Sequence, residues 1–197
     1  MQHFYQNIQG WNDQLRPLYE LLVPELPDTC HVVEVGAWAG RSTAHMSVLL
    51  INSGKRFQFG VVDHWQGANH SYYQDPAVQQ RDVYREFLDN LNPVLHLIDL
   101  HKCTSVEASK RYADHSLDLV VIDEDHNYEP TFASIAAWIP KVKPGGFICG
   151  DDHIPDFPGV IRACRDFFGK RYSIINHDNV IVKAEHAEHY GSWFIQL

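Results

Sequence analysis

The stretch LDLVVIDEDH, residues 117–126, decides how the chain is read. Its apolar run, Leu119, Val120, Val121 and Ile122, is continuous and mostly β-branched, the pattern of a central parallel strand covered on both faces. The run ends in Asp123, Glu124, Asp125 and His126. Open α/β sheets hold their ligands at the carboxyl ends of such strands. Three acids at successive positions repel one another unless a cation, a proton or solvent lies between them, and solvent is the plainest of the three.

The flanking sequence repeats the same plan. Residues 31–36, HVVEVG, read as a first strand and 41–51 as the helix after it. A second strand, 57–63, ends in Asp63, and a polar, aromatic segment, 65–76, leads into a helix at 77–90. Residues 94–100 alternate as a third strand, followed by a loop at 101–105 and a short helix at 106–112. After the central strand comes a helix at 128–142, stopped by Lys143-Pro144-Gly145-Gly146. A fifth strand, 147–150, ends in Asp151 and Asp152, and a helix follows at 160–169. Strands at 172–176 and 180–184 pair around the turn His177-Asp178-Asn179. Ahead of all this, residues 3–23 space Phe4, Ile8, Trp11, Leu15, Leu18 and Leu22 as one helix, closed by Pro24 and Pro27, beside the sheet or over its ligand cleft. Strands alternating with helices predict an α/β fold, a doubly wound, mostly parallel seven-stranded sheet with an antiparallel end strand. The chain reads as one domain, with a helical segment at 1–28, a core at 29–184 and a tail at 185–197 that finds no place in this scheme.

Composition narrows the function classes. The chain has 197 residues, enough to bury a sheet and its helices without staples. Sixteen basic against 25 acidic side chains give a formal charge of −9, which argues against broad contact with nucleic-acid phosphates. No apolar stretch is long enough for a membrane span, and the N-terminus lacks the pattern of a signal peptide. Cys30, Cys103, Cys149 and Cys164 are scattered, without zinc spacing, and read as reduced thiols of a cytoplasmic protein.

Four features carry chemistry. In Glu34-Val35-Gly36-Ala37-Trp38-Ala39-Gly40-Arg41-Ser42 a strand enters a glycine turn that opens a helix, which lets backbone N–H groups approach a ligand. Trp38 stands where a dinucleotide fingerprint needs glycine. Asp63, at the end of the second strand, is placed to hold the hydroxyls of a ribose. Asp123 and the pair Asp151-Asp152 end neighbouring strands, so their carboxylates can converge on a hard divalent cation such as Mg²⁺. His126, three residues past Asp123, could take a proton near neutral pH. Each also has a plain reading: a tight packing turn, a helix cap, solvated carboxylates, a surface histidine.

Taken together, these residues resemble the class I S-adenosylmethionine-dependent methyltransferases. VEVGAWAGRS is similar to that superfamily's first motif, VVDHW to its second, and LDLVVIDEDHNYEPTFASIAAWIPKVKPGGFICGDD to its fourth and fifth. The last stretch resembles the macrocin-type and related O-methyltransferases of natural products, and its spacing that of catechol-type, metal-dependent enzymes. The resemblance implies a cofactor pocket shaped by Glu34, Gly36, Trp38 and Gly40, with Ser42 near the methionine carboxylate and Asp63 on the ribose. It implies Thr104 and Ser105 near the adenine, Asp123 bordering both cofactor and metal, Asp123, Asp151 and Asp152 as Mg²⁺ ligands, and His126 as catalytic base. Glu124 departs from the pattern, since that place is often glycine.

The expected reaction is methyl transfer to a hydroxyl of a small sugar or catechol-like acceptor. The open alternatives are a metal-independent transferase acting on nitrogen or a more acidic oxygen, a nucleotide-fold dehydrogenase, and a non-catalytic domain that holds the cofactor. Trp65, His70, Tyr72, Tyr73 and the aromatic N-terminal helix could line the acceptor side. The N-terminal helix and the aromatic tail could serve a homodimer.

Overall fold

A computed structural model describes residues 1–67, 75–185 and 190–197. In chain order the elements are α1 (Leu15–Glu25), β1 (Thr29–Val35), α2 (Arg41–Asn52), β2 (Arg56–Asp63), α3 (Pro76–Gln79), α4 (Val83–Leu91), β3 (Ile98–Lys102), α5 (Ser105–Ser109), β4 (Leu117–Ile122), α6 (Tyr128–Trp138), β5 (Val142–His153), α7 (Pro158–Phe168), β6 (Ser173–Ile175), β7 (Ile181–Lys183) and β8 (Gly191–Gln196). The strands form one sheet in the order β3-β2-β1-β4-β5-β8-β6-β7. β3, β2, β1, β4 and β5 run parallel. β8 lies antiparallel between β5 and β6, and β7 closes the edge antiparallel to β6. The expected class therefore holds, with one strand more than expected, because the tail at 191–196 enters the middle of the sheet. Trp193 packs there against Gly150, where a Cβ would sit 2.7 Å from the indole.

Alternation along the strands sends side chains to two cores. Val32, Phe59, Val61, Leu119 and Val121 meet Leu15, Leu18, Leu22, Met46, Leu50, Phe87 and Leu91 from α1, α2 and α4. Val33, Val35, Val62, Val120 and Ile122 meet Ile135, Trp138, Val160 and Phe168 from α6 and α7, with Trp193. All six residues of β4 are buried, including Asp118, whose carboxylate accepts from Lys143 Nζ and His31 N. That pairing is what makes an acid tolerable inside a covered strand.

Several boundaries differ from the sequence expectation, each for a local reason. The N-terminal segment is not one helix: a 3₁₀ turn at Tyr5–Asn7 is separated from α1 by Gly10, whose φ is 136°. α1 carries Pro24 in its last turn, so this proline does not bar the helix. The helix expected at 77–90 is two, because Asp82 caps α4 by accepting from Arg85 N. Residues 94–97 form a turn, with Leu97 N donating to Val94 O, and β3 starts only at Ile98. α5 begins at Ser105 because Thr104 and Glu107 form a capping box. Pro140 ends α6 early, and β5 runs from Val142 through Asp151 and Asp152 rather than stopping before them. No helix among the described residues is long and apolar enough to cross a membrane. All four cysteines are free, and Cys103 alone of them is partly exposed.

Candidate active site

The chain runs outward from β1 to β2 and β3, then crosses back to β4, so the strand order reverses between β1 and β4. A cavity of about 960 Å³ opens there, at the carboxyl edge of the sheet, the place where doubly wound sheets bind ligands.

The glycine turn after β1 forms its floor. Gly36 adopts φ 91°, and a Cβ there would lie 1.8 Å from the Asp123 carbonyl oxygen, so no larger residue fits. Gly40, also at φ 91°, starts α2 and admits the Leu91 side chain, which a Cβ would meet at 2.0 Å. Gly36, Ala37, Trp38 and Ser42 line the cavity, whereas Gly40 packs behind it. Glu34 does not reach the cavity wall. It is fully buried under the turn, where it accepts from Tyr19 OH at 3.0 Å and from Thr43 Oγ1 at 2.6 Å. Burial pushes its carboxyl up to about 7, against the pull of those hydrogen bonds. Glu34 thus ties α1 and α2 together beneath the turn.

Asp63 lines the cavity and also clamps the turn. Its Oδ2 accepts from Ala37 N and Trp38 N at 2.9 and 3.0 Å, and Oδ1 accepts from Trp65 N at 2.6 Å. Trp38 and Trp65 both have positive φ, 44° and 54°, conformations that this carboxylate holds in place. Trp65 Nε1 donates to the Trp38 carbonyl at 2.8 Å, and its ring packs on Tyr84 and Phe87. Trp65 is therefore as much a strut as a cavity wall. Of the other residues expected on the acceptor side, His70, Tyr72 and Tyr73 lie outside the described residues.

The acids at the carboxyl ends of β4 and β5, Asp123, Asp151 and Asp152, all line the cavity. One ligand atom each from Asp123, His126 and Asp152 lie within 4.8 Å of one another. Asp151 is not in this group: it is buried and accepts from Ser192 Oγ at 2.9 Å. The reason is a register shift between Gly150 and His153, where β5 bulges against β8 and Asp152 takes φ 60°. Consecutive strand residues point to opposite faces, and the bulge lets Asp152 meet His126 while Asp151 stays on Ser192. His126 Nε2 contacts Asp152 Oδ2 at 2.7 Å and its ring stacks on Phe157 with centroids 4.0 Å apart. Asp123 is half-buried at the cavity wall, and its carboxyl is raised well above the usual range by desolvation and then by the charges of Asp152, Asp151, Glu34 and Asp63. Asp151 is raised for the same reasons, desolvation first and Asp152 second. Such a site is relieved by a proton or by a cation, and two carboxylates with an imidazole form a donor set that suits a divalent ion.

Toward β3, Cys103, Ser105 and Glu124 line the cavity. Thr104, one position before Ser105, hydrogen-bonds Glu107 instead. Residues 10–14, ahead of α1, close the mouth. Trp11 is 65% exposed and lies against Trp38, centroids 5.1 Å apart, while Arg81 covers Trp38 at 4.9 Å. The N-terminal segment thus reaches the ligand cleft, one of its two expected places, although the residues that do so lie in the break at Gly10-Trp11-Asn12 and not on a helix face.

The sequence profile of a family described as a methyltransferase domain matches residues 33–153. No curated protein matches the chain in sequence. Among solved structures, the calicheamicin methyltransferase CalS11 superposes with a TM-score of 0.62 at 16% identity, over 94% of this chain and 78% of that one. The O-methyltransferase NovP gives 0.60 at 18%, over 93% and 78%. Precorrin 8w decarboxylase from Methanobacterium thermoautotrophicum gives 0.57 at 14%, over 97% and 93%. At these identities the likeness shows a shared fold, and the decarboxylase among them is a reminder that the fold alone does not fix the reaction.

Proposed function

The chain belongs to the class I S-adenosylmethionine-dependent methyltransferases, the family whose domain spans residues 33–153, and from that premise we propose that it methylates a hydroxyl oxygen of a small sugar or catechol-like acceptor. The observation that carries the reading is the convergence of Asp123, His126 and Asp152 on the wall of the cavity that the glycine turn floors. Asp123 and Asp152 would hold a divalent cation, Mg²⁺ being the hard ion their oxygens suit. Such an ion supplies a Lewis-acid contact that lowers the pKa of an acceptor hydroxyl.

The protein's own residues do the rest. The turn at Gly36–Trp38, with Ser42, positions the methionine end of the donor, and Asp63, beside it, offers its remaining lone pair to the ribose. The imidazole of His126, held beside Asp152 by the 2.7 Å contact between Nε2 and Oδ2, takes the acceptor's proton. Phe157 keeps that ring in plane. Because the donor already carries a reactive methyl group, alignment is most of what the protein must supply.

The same His126–Asp152 contact favours a second reading, transfer without a metal, in which the pair alone serves as base. Calorimetry with S-adenosylhomocysteine, with and without Mg²⁺, separates the cases. Binding that needs no ion, followed by turnover that survives chelation, supports the metal-free route. No binding in either condition would remove both.

A further inference from the structure

The end of the cavity near β3 holds a carboxyl group that methyl transfer does not use. Glu124 lines the cavity there with Cys103, Ser105 and His64. Behind it runs a chain of hydrogen bonds whose direction can be worked out from the proton count. Trp138 Nε1–H can only donate, and it donates to Ser105 Oγ at 3.0 Å. Ser134 Oγ has one proton and is within bonding distance of both Ser105 Oγ, at 2.8 Å, and Glu124 Oε1. The carboxyl oxygen is the stronger acceptor, so the Ser134 proton goes to Glu124, and Ser105, which also hydrogen-bonds that carboxyl, turns its proton the same way. Every proton along Trp138, Ser105 and Ser134 therefore points toward Glu124. All three are buried, so packing fixes the arrangement. A carboxylate has about four lone-pair sites, and the serines fill a minority of them. The remaining sites accept from whatever occupies the cavity.

We infer that Glu124 is a specificity residue that accepts a hydrogen bond from the exocyclic 6-amine of a bound adenine and so selects adenine over 6-oxopurine bases. The inference rests on the proposed use of this cavity for S-adenosylmethionine. A ligand with its ribose at Asp63 can extend its base along the sheet edge in two directions. One leads to the acids after β4 and β5, Asp123, Asp151 and Asp152, the end that the proposed function gives to the cation and the acceptor. The other leads past β2 to Cys103, Ser105 and Glu124, where a fixed acceptor waits for an N–H group. An amine at purine position 6 meets that acceptor, whereas a 6-oxo group would place oxygen against oxygen.

The test compares S-adenosylhomocysteine with S-inosylhomocysteine by calorimetry on the wild-type protein, E124A and E124Q. The wild type should prefer the adenine ligand by on the order of ten- to a hundredfold, the range for a hydrogen bond to a charged group. E124A should shrink the preference to within about threefold, by losing that bond. E124Q, whose carbonyl can take the Ser134 proton and turn its amide N–H₂ to the cavity, should move the preference toward the 6-oxo ligand. Circular dichroism melts check that the variants fold, and the wild-type comparison does not depend on them. Equal binding of both ligands to the wild type, or a wild-type preference retained in E124A, overturns the inference while leaving methyl transfer standing. A wild-type protein that binds neither ligand overturns the proposed function and this inference with it.

Discussion

Glu34→Gln tests whether the acid beneath the glycine turn is a support held neutral by burial. Glu34 is wholly buried, and its carboxyl is raised from 4.5 to about 7, chiefly by desolvation. A carboxyl whose pKa is higher in the fold than in the unfolded chain stabilises the fold fully below its unfolded value. That stability is lost as pH rises through the folded value. At about 1.4 kcal/mol per unit of difference, Glu34 accounts for roughly 2–3 kcal/mol lost between pH 5 and pH 8. Glutamine has the same shape and does not titrate. Its amide cannot accept from both Tyr19 and Thr43 without turning N–H₂ toward one of them, so E34Q should be about 1 kcal/mol less stable than wild type at pH 5. Urea unfolding at pH 5 and pH 8 measures both effects. The wild type should lose roughly 2–3 kcal/mol more than E34Q between the two. Equal pH dependence of the two proteins would mean that Glu34 is ionised in the fold, and the account of its burial would fail.

Two further substitutions probe the turn itself. Gly36→Ala places a Cβ 1.8 Å from the Asp123 carbonyl at a φ of 91°, so melting should show a loss of more than about 2 kcal/mol, with S-adenosylhomocysteine binding abolished. An alanine variant that binds as the wild type does would show that the turn and β4 do not meet so closely. Asp63→Asn keeps one acceptor oxygen for three backbone N–H donors, those of Ala37, Trp38 and Trp65. It should cost about 1.5–3 kcal/mol and lower Tm by about 4–10 °C, even without ligand. A variant that melts normally and loses only ligand affinity would make Asp63 a ribose contact and nothing more.

How much of this was legible in the sequence depends on how local each cause is. β1, β2 and β4 with the helices after β1 and β4 stood out because period and punctuation sit in adjacent residues, as in the covered run at 117–122 and the glycines at 36 and 40. The start of β3 did not, because residues 94–97 alternate like a strand while their backbone closes a turn on Val94. β8 escaped because its place is set by distant partners: Trp193 needs Gly150, more than forty positions away, to leave room. The acids divide in the same way. That Asp123 and the pair 151–152 would meet followed from neighbouring parallel strands. Which of the pair sits beside His126 depended on a bulge between β5 and β8, and β8 had not been placed. The role of Asp63 as clamp was hidden for a simpler reason, since backbone N–H groups carry no sequence signature.

The most direct test of the account is transfer of a labelled methyl group from S-adenosylmethionine to a panel of vicinal-diol acceptors, sugars and catechols, in the presence of Mg²⁺. The account predicts product on at least one acceptor, loss of turnover on chelation with recovery when Mg²⁺ is returned, and a fall on the order of a hundredfold or more in Asp123→Asn and His126→Ala. Turnover that persists at wild-type rate in Asp123→Asn and under chelation would contradict it.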